Sequence, residues 1–273
     1  MQPLVEISDV TLAYEGGGGT LAVEGLDLAV PEGGFVAVVG PSGCGKSTLM
    51  KLVTGLIRPT RGGVIVAGHE VDGPTKIAGM AFQNPNLLPW RTTLENVLLP
   101  LEVVRPSRND FRKRKPHYVE RAMSLLRTVG LESFAGHYPW QLSGGMQQRA
   151  SLCRALVHEP ALLMLDEPFG ALDAFTREEL WDVLQDIWLQ RRFTTILVTH
   201  DLREALYLAD TVCVMSNRPG RVVASFDTTR FLRPRSPKTF LDPAFNEQVL
   251  ELREMIRHQR LPVESGQRGD LTR

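Results

Sequence analysis

The stretch that most constrains this chain is Gly40, Pro41, Ser42, Gly43, Cys44, Gly45, Lys46, Ser47 and Thr48. It fits G-x-x-x-x-G-K-[ST] and follows an apolar run, Phe35–Val39. After it Leu49, Leu52, Val53 and Leu56 keep a helical i, i+3, i+4, i+7 rhythm. Strand, glycine-rich turn and helix in that order is the setting in which such a loop cradles phosphate. The glycines let successive N–H groups turn inward, and the helix adds its positive N-terminal end. Lys46 is expected to reach the β- and γ-phosphates of a nucleotide, and Ser47 to offer its hydroxyl to Mg2+. Cys44 is read as a spacer whose backbone matters, ahead of a reactive thiol.

Other short apolar runs repeat the strand signal: Ile77–Phe82, Ala161–Leu165, Thr194–Val198 and Thr211–Met215. The last three, like Phe35–Val39, are apolar rather than alternating, apart from threonines at the start of two, as strands buried on both faces of a parallel sheet are. Leu180, Val183, Leu184, Ile187 and Trp188 mark a helix between two of them. The alternation predicts an α/β fold. The region from about 87 to 150 has no convincing buried strand but carries a helical stripe, Val119, Ala122, Met123 and Leu126, and reads as a helical insertion. Residues after 226 begin rich in Arg and Pro; Phe245–Arg257 then reads as an amphipathic helix, and the last dozen residues are expected to fray.

Three strand ends carry groups suited to nucleotide chemistry. Asp166, after Leu165, can hold Mg2+ through water, and Glu167 can polarise a water that attacks the γ-phosphate. His200 follows the run Thr194–Thr199; it can contact the γ-phosphate, or it can simply cap and pack. Gln83 can ligate Mg2+ or the water, or it can be an ordinary polar strand end. Further on, Ser143, Gly144 and Gly145 open a helix carrying Leu152, Ala155 and Leu156, a second anion cradle at a helix N-terminus.

Composition excludes several classes. The 273 residues hold 31 basic and 31 acidic side chains and no net charge, so bulk electrostatic binding to nucleic acid is not expected. The longest strictly apolar run is five residues, far short of the roughly 20 needed to cross a bilayer. No secretory signal is read at the N-terminus. Three widely spaced cysteines, Cys44, Cys153 and Cys213, suit neither a disulfide framework nor a zinc site and point to a reducing compartment.

With the phosphate loop, Leu142-Ser-Gly-Gly-Met-Gln147 makes the chain resemble the nucleotide-binding subunits of ABC (ATP-binding cassette) transporters. The resemblance spans about residues 4 to 224. It implies an α/β P-loop NTPase (RecA-like) core with an ABC-type antiparallel β subdomain and a helical signature subdomain. It divides the chain into a nucleotide-binding domain, 1–225, and a short C-terminal extension, 226–273. It implies ATP hydrolysis with Mg2+, with Gln83 in the glutamine loop, Asp166 as the second Walker acid, Glu167 as catalytic carboxylate and His200 as switch histidine. Tyr14 matches the aromatic that stacks on adenine, and Ala171-Leu-Asp173 the loop that crosses the dimer interface. One ATP does not need two cradles from one chain; in the family the second closes over the opposing subunit's ATP.

Finer signals, Gln83-Asn-Pro-Asn-Leu-Leu-Pro-Trp90 and Met215-Ser-Asn-Arg-Pro-Gly220 among them, resemble the nitrate/sulfonate/taurine import group. That implies a homodimer of ATPase subunits, integral membrane permease subunits, a periplasmic or extracellular solute-binding protein, no nucleic acid, and a peripheral place on the cytoplasmic face of the inner membrane. Leu87, Leu88 and Trp90 are expected to form the exposed docking patch for a membrane-subunit helix, ahead of a buried local core. The basic run Arg105–Lys115 is read as a solvated helix or loop rather than a lipid contact. The rival class is a soluble ABC ATPase of DNA repair or translation, whose long coiled-coil insertion or paired cassettes are missing from the sequence.

Overall fold

The computed structural model describes residues 3–14, 20–170 and 172–260. The glycine run 16–19, Ala171 and the terminal residues expected to fray lie outside them.

A six-stranded sheet forms the centre. Its strands are β3 (Phe35–Val39), β6 (Ala78–Phe82), β7 (Leu162–Asp166), β8 (Thr194–Val198), β9 (Thr211–Met215) and β10 (Val222–Asp227), in the order β10-β9-β3-β8-β7-β6. All neighbours run parallel except β10, which pairs antiparallel with β9 at the edge. Helices α1 (Lys46–Val53), α5 (Ala174–Arg191) and α6 (Leu202–Leu208) lie between strands in sequence. The four strands expected from these apolar runs are present within one residue at either end.

Successive residues of a strand face opposite sides, so each central strand feeds two cores. Phe35, Ala37 and Val39 pack with Leu163, Leu165, Leu197 and the helices. Val36 and Val38 pack with Met164, Ile196, Val198 and a second, antiparallel sheet. That sheet comprises β1 (Pro3–Tyr14), β2 (Thr20–Pro31), β4 (Arg61–Val66) and β5 (His69–Glu70) in the order β2-β1-β4-β5. The two sheets are stitched beside the phosphate loop, where Gly220 N–H donates to Ala22 O at 2.9 Å and Glu24 N–H to Gly220 O at 3.2 Å.

The insertion is helical, as expected: α2 (Thr93–Val103), α3 (Ser107–Thr128) and α4 (Gly144–Leu156). Thr92 and Glu95 form a capping box that starts α2. Pro116 lies inside α3, and the helix kinks at Arg114 (φ −105°, ψ 15°), where a proline ring crowds the preceding turn. The basic run forms the exposed approach to this helix and its first half. Helix α4 lies hard against β6: a Cβ on Gly79 would stand 2.1 Å from Ala155 O, so only glycine permits this approach.

The residues after 226 pack onto the helical core through Phe231, Phe245, Val249 and Leu252, the last three carried by α7 (Pro243–Arg260). Arg235 pins them. Its buried guanidinium donates to Leu206 O at 2.7 Å, Tyr207 O at 3.0 Å, Ala209 O at 2.7 Å and Thr228 O at 2.7 Å. The first three are carbonyls at the C-terminal end of α6, which the helix itself leaves without partners. Burial, with Arg233 nearby, lowers the Arg235 pKa to about 9.

Candidate active site

The groups singled out at strand ends line up along one edge of the sheet. Across the order β3-β8-β7-β6, the C-terminal ends lead into Gly40, His200, Asp166 with Glu167, and Gln83. This is the edge at which open parallel sheets bind ligands.

From β3 the chain curls through Gly43 (φ 77°) and Gly45 (φ 101°) into α1. Both glycines adopt left-handed backbone that side-chain-bearing residues resist. Lys46 is buried and lies across its own loop, its Nζ donating to Gly40 O and Pro41 O at 2.9 Å each. Cys44 is wholly enclosed, with its Sγ 3.8 Å from Lys46 Nζ. Burial pushes the thiol up, against the pull of Lys46. A raised thiol pKa suits a packing spacer rather than a nucleophile. The loop opens into a cavity of about 260 Å³ lined by Ser42, Gly43, Lys46, Ser47, Thr48 and Glu167 among others. Tyr14 stands beside it, 40% exposed, its hydroxyl 3.3 Å from Thr48 Oγ1.

Glu167 has φ 47°, an unusual conformation for a side-chain-bearing residue. Its N–H donates to Val198 O at 2.8 Å, which ties the turn to the neighbouring strand. Glu167 Oε2 meets His200 Nδ1 at 3.2 Å. Asp166 is half-buried, and its pKa is raised by burial first and by Glu167 second, with Lys46 and Lys51 opposing. Gln83 approaches the same turn: the Cβ position of Gly170 lies 3.7 Å from Gln83 Nε2 and 3.9 Å from Glu167 Oε2. Ser47, Gln83 and Asp166 offer only oxygen donors suited to a hard cation. Among the described residues no cluster of three or more His, Cys, Asp or Glu could hold a metal. One carboxylate completed by substrate phosphates and water is how Mg2+ is commonly held, so the donor set fits that ion.

The second cradle stands apart. Ser143 caps α4, its Oγ accepting from Met146 N–H at 3.3 Å. Ser143, Gly144 and Gly145 line another cavity, of about 460 Å³, with Asp173 and Thr176. Asp173 caps α5 by accepting from Thr176 N–H at 3.0 Å, and that bond holds its carboxyl below the usual range. Among the described residues none lines both this cavity and the one at the phosphate loop.

Two features differ from the sequence reading or extend it. Leu87 and Leu88 are half-buried, and Leu87 packs on the helical core; Trp90, 70% exposed, is the only strongly exposed member of the expected patch. The loop turns inward because buried Asn96 holds it, accepting from Leu88 N–H at 2.7 Å and donating to Leu88 O at 3.1 Å. Arg218 also lines the phosphate-loop cavity, its Nε donating to Gly43 O at 3.3 Å. The Arg-Pro-Gly tripeptide just past β9 was the signal for it, since Gly220 must tuck against Cys44 O, 1.8 Å from where a Cβ would be.

The ABC transporter family profile matches residues 23–170. The chain is 41% identical over 253 residues to the taurine import ATP-binding protein TauB of Rhizobium johnstonii, covering 93% of this chain and 94% of that one. It is 42% identical over 245 residues to the bicarbonate transport ATP-binding protein CmpD of Synechococcus elongatus, covering 89% and 86%. A solved ATP-binding cassette, a dimer in a post-hydrolysis state bound to ADP and Pi, superposes with a TM-score of 0.70 at 32% identity over 82% of this chain and 98% of its own. The chain belongs to the ABC transporter family. It is an ATP-binding cassette that hydrolyses ATP.

Proposed function

We propose that this cassette powers an importer for a small anionic solute of the nitrate, sulfonate or taurine kind. The observation that carries its chemistry is the Glu167–His200 contact at 3.2 Å, placed beside the phosphate loop. Glu167 takes the proton of the attacking water, and His200 holds Glu167 and the γ-phosphate in register. Lys46 and the loop N–H groups bind the β- and γ-phosphates. Ser47, Asp166 and Gln83 hold Mg2+, which supplies charge neutralisation at those phosphates when bound. Tyr14 stacks on the adenine.

Two cassettes form a head-to-tail dimer, because each chain carries two anion cradles opening into separate cavities. Ser143, Gly144, Gly145 and Asp173 of one subunit close over ATP held by the other. The solved dimeric cassette supports this reading, and relatives named for taurine import and bicarbonate transport support the solute class. Among the described residues no helix is long and apolar enough to cross a membrane. On this reading the cassette works with integral permease subunits at the cytoplasmic face of the membrane, and a solute-binding protein delivers cargo to them. The relatives named above give the DNA-repair or translation alternative no support.

The test is joint purification and transport. Co-expressed with the permease it serves, the chain should co-purify with that multi-span protein and confer ATP-dependent uptake of a small anion into vesicles. Uptake surviving Glu167→Gln, or no association with any such permease, would sink the proposal.

A further inference from the structure

A cavity of about 600 Å³ lies beside His200 and Gly40, the first residue of the phosphate loop, between the start of α6 and the face of α7. Its rim is basic: Arg203 from α6, with Arg253 and Arg257 one turn apart on α7. Among the described residues none of these three guanidinium groups has a carboxylate within ion-pair distance. Asp201, the acid that lines the cavity, is already engaged. It pairs with Arg177 at 2.9 Å and accepts from Arg203 N–H at 2.9 Å. The carboxylates of α7, Glu247, Glu251 and Glu254, do not line it. Leu202, Val249 and Ile256 supply an apolar wall.

Three exposed arginines around one cavity, without carboxylate partners, favour an anion among them, and their planar forks match oxoanion geometry. A bare inorganic ion would leave the apolar wall unused, whereas a cavity of this size and mixed lining suits a small organic ligand. We propose that this cavity is a second anion site that takes a small organic phosphate or sulfonate and reports its occupancy through His200. His200 and Gly40 line this cavity, and His200 Nδ1 also touches Glu167, which lines the phosphate-loop cavity. A ligand drawn in by the arginines therefore bears on the histidine that faces the hydrolytic carboxylate. The coupling rests on the role proposed for His200; the binding does not.

The test separates the two halves. Phenyl phosphate, benzenesulfonate and inorganic phosphate are titrated by calorimetry into the full chain carrying Lys46→Ala, which disables the phosphate loop. The same probes are titrated into that chain carrying Arg253→Gln and Arg257→Gln as well. The expected result is saturable binding of an organic probe to the first, weakened roughly tenfold for each guanidinium removed. Whichever organic probe binds tighter assigns the headgroup. No organic binding, equal binding to both proteins, or inorganic phosphate binding as tightly as the organic probes overturns the site. With Lys46 intact, the tighter probe should change steady-state ATP hydrolysis by the parent and not by Arg253→Gln/Arg257→Gln. Binding without a rate change in the parent overturns the coupling. Undiminished hydrolysis by His200→Ala would instead overturn the role of His200 and leave the site standing.

Discussion

Glu167 Oε2 and His200 Nδ1 stand 3.2 Å apart across the ends of adjacent parallel strands, β7 and β8. Glu167 is held there by a left-handed backbone and by its N–H bond to Val198 O. The proposed base is thus fixed by main chain and oriented by one partner. Glu167→Gln keeps the shape and loses the basicity. Hydrolysis should fall about 10²–10⁴-fold while ATP binding persists. Steady-state turnover beside equilibrium binding of a fluorescent ATP analogue checks this.

Lys46 has a structural role in addition to its proposed one. Its ammonium joins the carbonyls of Gly40 and Pro41. Lys46→Ala should abolish most ATP affinity and also destabilise the nucleotide-free protein by about 1–3 kcal/mol, the cost of stranding buried carbonyls. Denaturant unfolding without nucleotide reads the second effect separately from the first.

The separate cavities at Lys46 and Ser143 predict assembly. Glu167→Gln should accumulate as a dimer in MgATP and part in MgADP. Adding Ser143→Arg should abolish the dimer and leave ATP binding intact. Light scattering at saturating nucleotide decides it; a persistent dimer would remove Ser143 from the interface.

Glu204 should make stability pH-dependent. It is buried behind the His200 turn, bonded to Thr199 Oγ1 at 2.9 Å, and burial raises its pKa to about 8. Thr199 lowers that value and Asp201 raises it, with Arg177 and Glu167 adding smaller opposing effects. The folded protein therefore holds a proton that the unfolded chain releases near the ordinary glutamate value of 4.5. Between those pH values the native state binds more protons, so stability falls as pH rises through the window. The limiting slope is about 1.4 kcal/mol per pH unit. Glu204→Gln, which imitates the protonated acid, should flatten the fall. Melting curves from pH 5 to about 9 test the sign.

Trp90 should matter to a partner and not to the fold. With 70% of it exposed, Trp90→Asp should change unfolding free energy by no more than about 0.5 kcal/mol. Its capture of the permease in a pull-down should drop sharply; full capture by the folded variant would exclude this surface.

Legibility in the sequence tracked burial. Strands such as Phe35–Val39 and Thr194–Val198 are enclosed on both faces, and their apolar runs announce it. β10 was not readable: on the sheet edge its residues alternate between half-buried and exposed, so no apolar run forms. β1 and β2 pair through repeated register shifts, which break the period-two pattern across twelve-residue strands, so only the family resemblance pointed to their sheet. In the candidate site, motif spacing located Lys46, Asp166, Glu167 and Ser143. Arg218 escaped because its proximity to Gly43 depends on the stitch between the two sheets. The half-burial of Leu87 and Leu88 escaped because Asn96, which turns their loop inward, lies in the following helix.

Arg235 sets how far the polypeptide can be shortened. A version ending near residue 225 has the signature motifs intact, yet it strips the donor from the carbonyls of Leu206, Tyr207 and Ala209. It also uncovers the aromatic faces of Trp181 and Tyr207, against which Phe240 packs. Helix α6 begins two residues past His200, so the damage from such a deletion reaches the catalytic edge from behind. The minimal working unit is therefore longer than its motifs, and its C-terminal arm acts as a keystone.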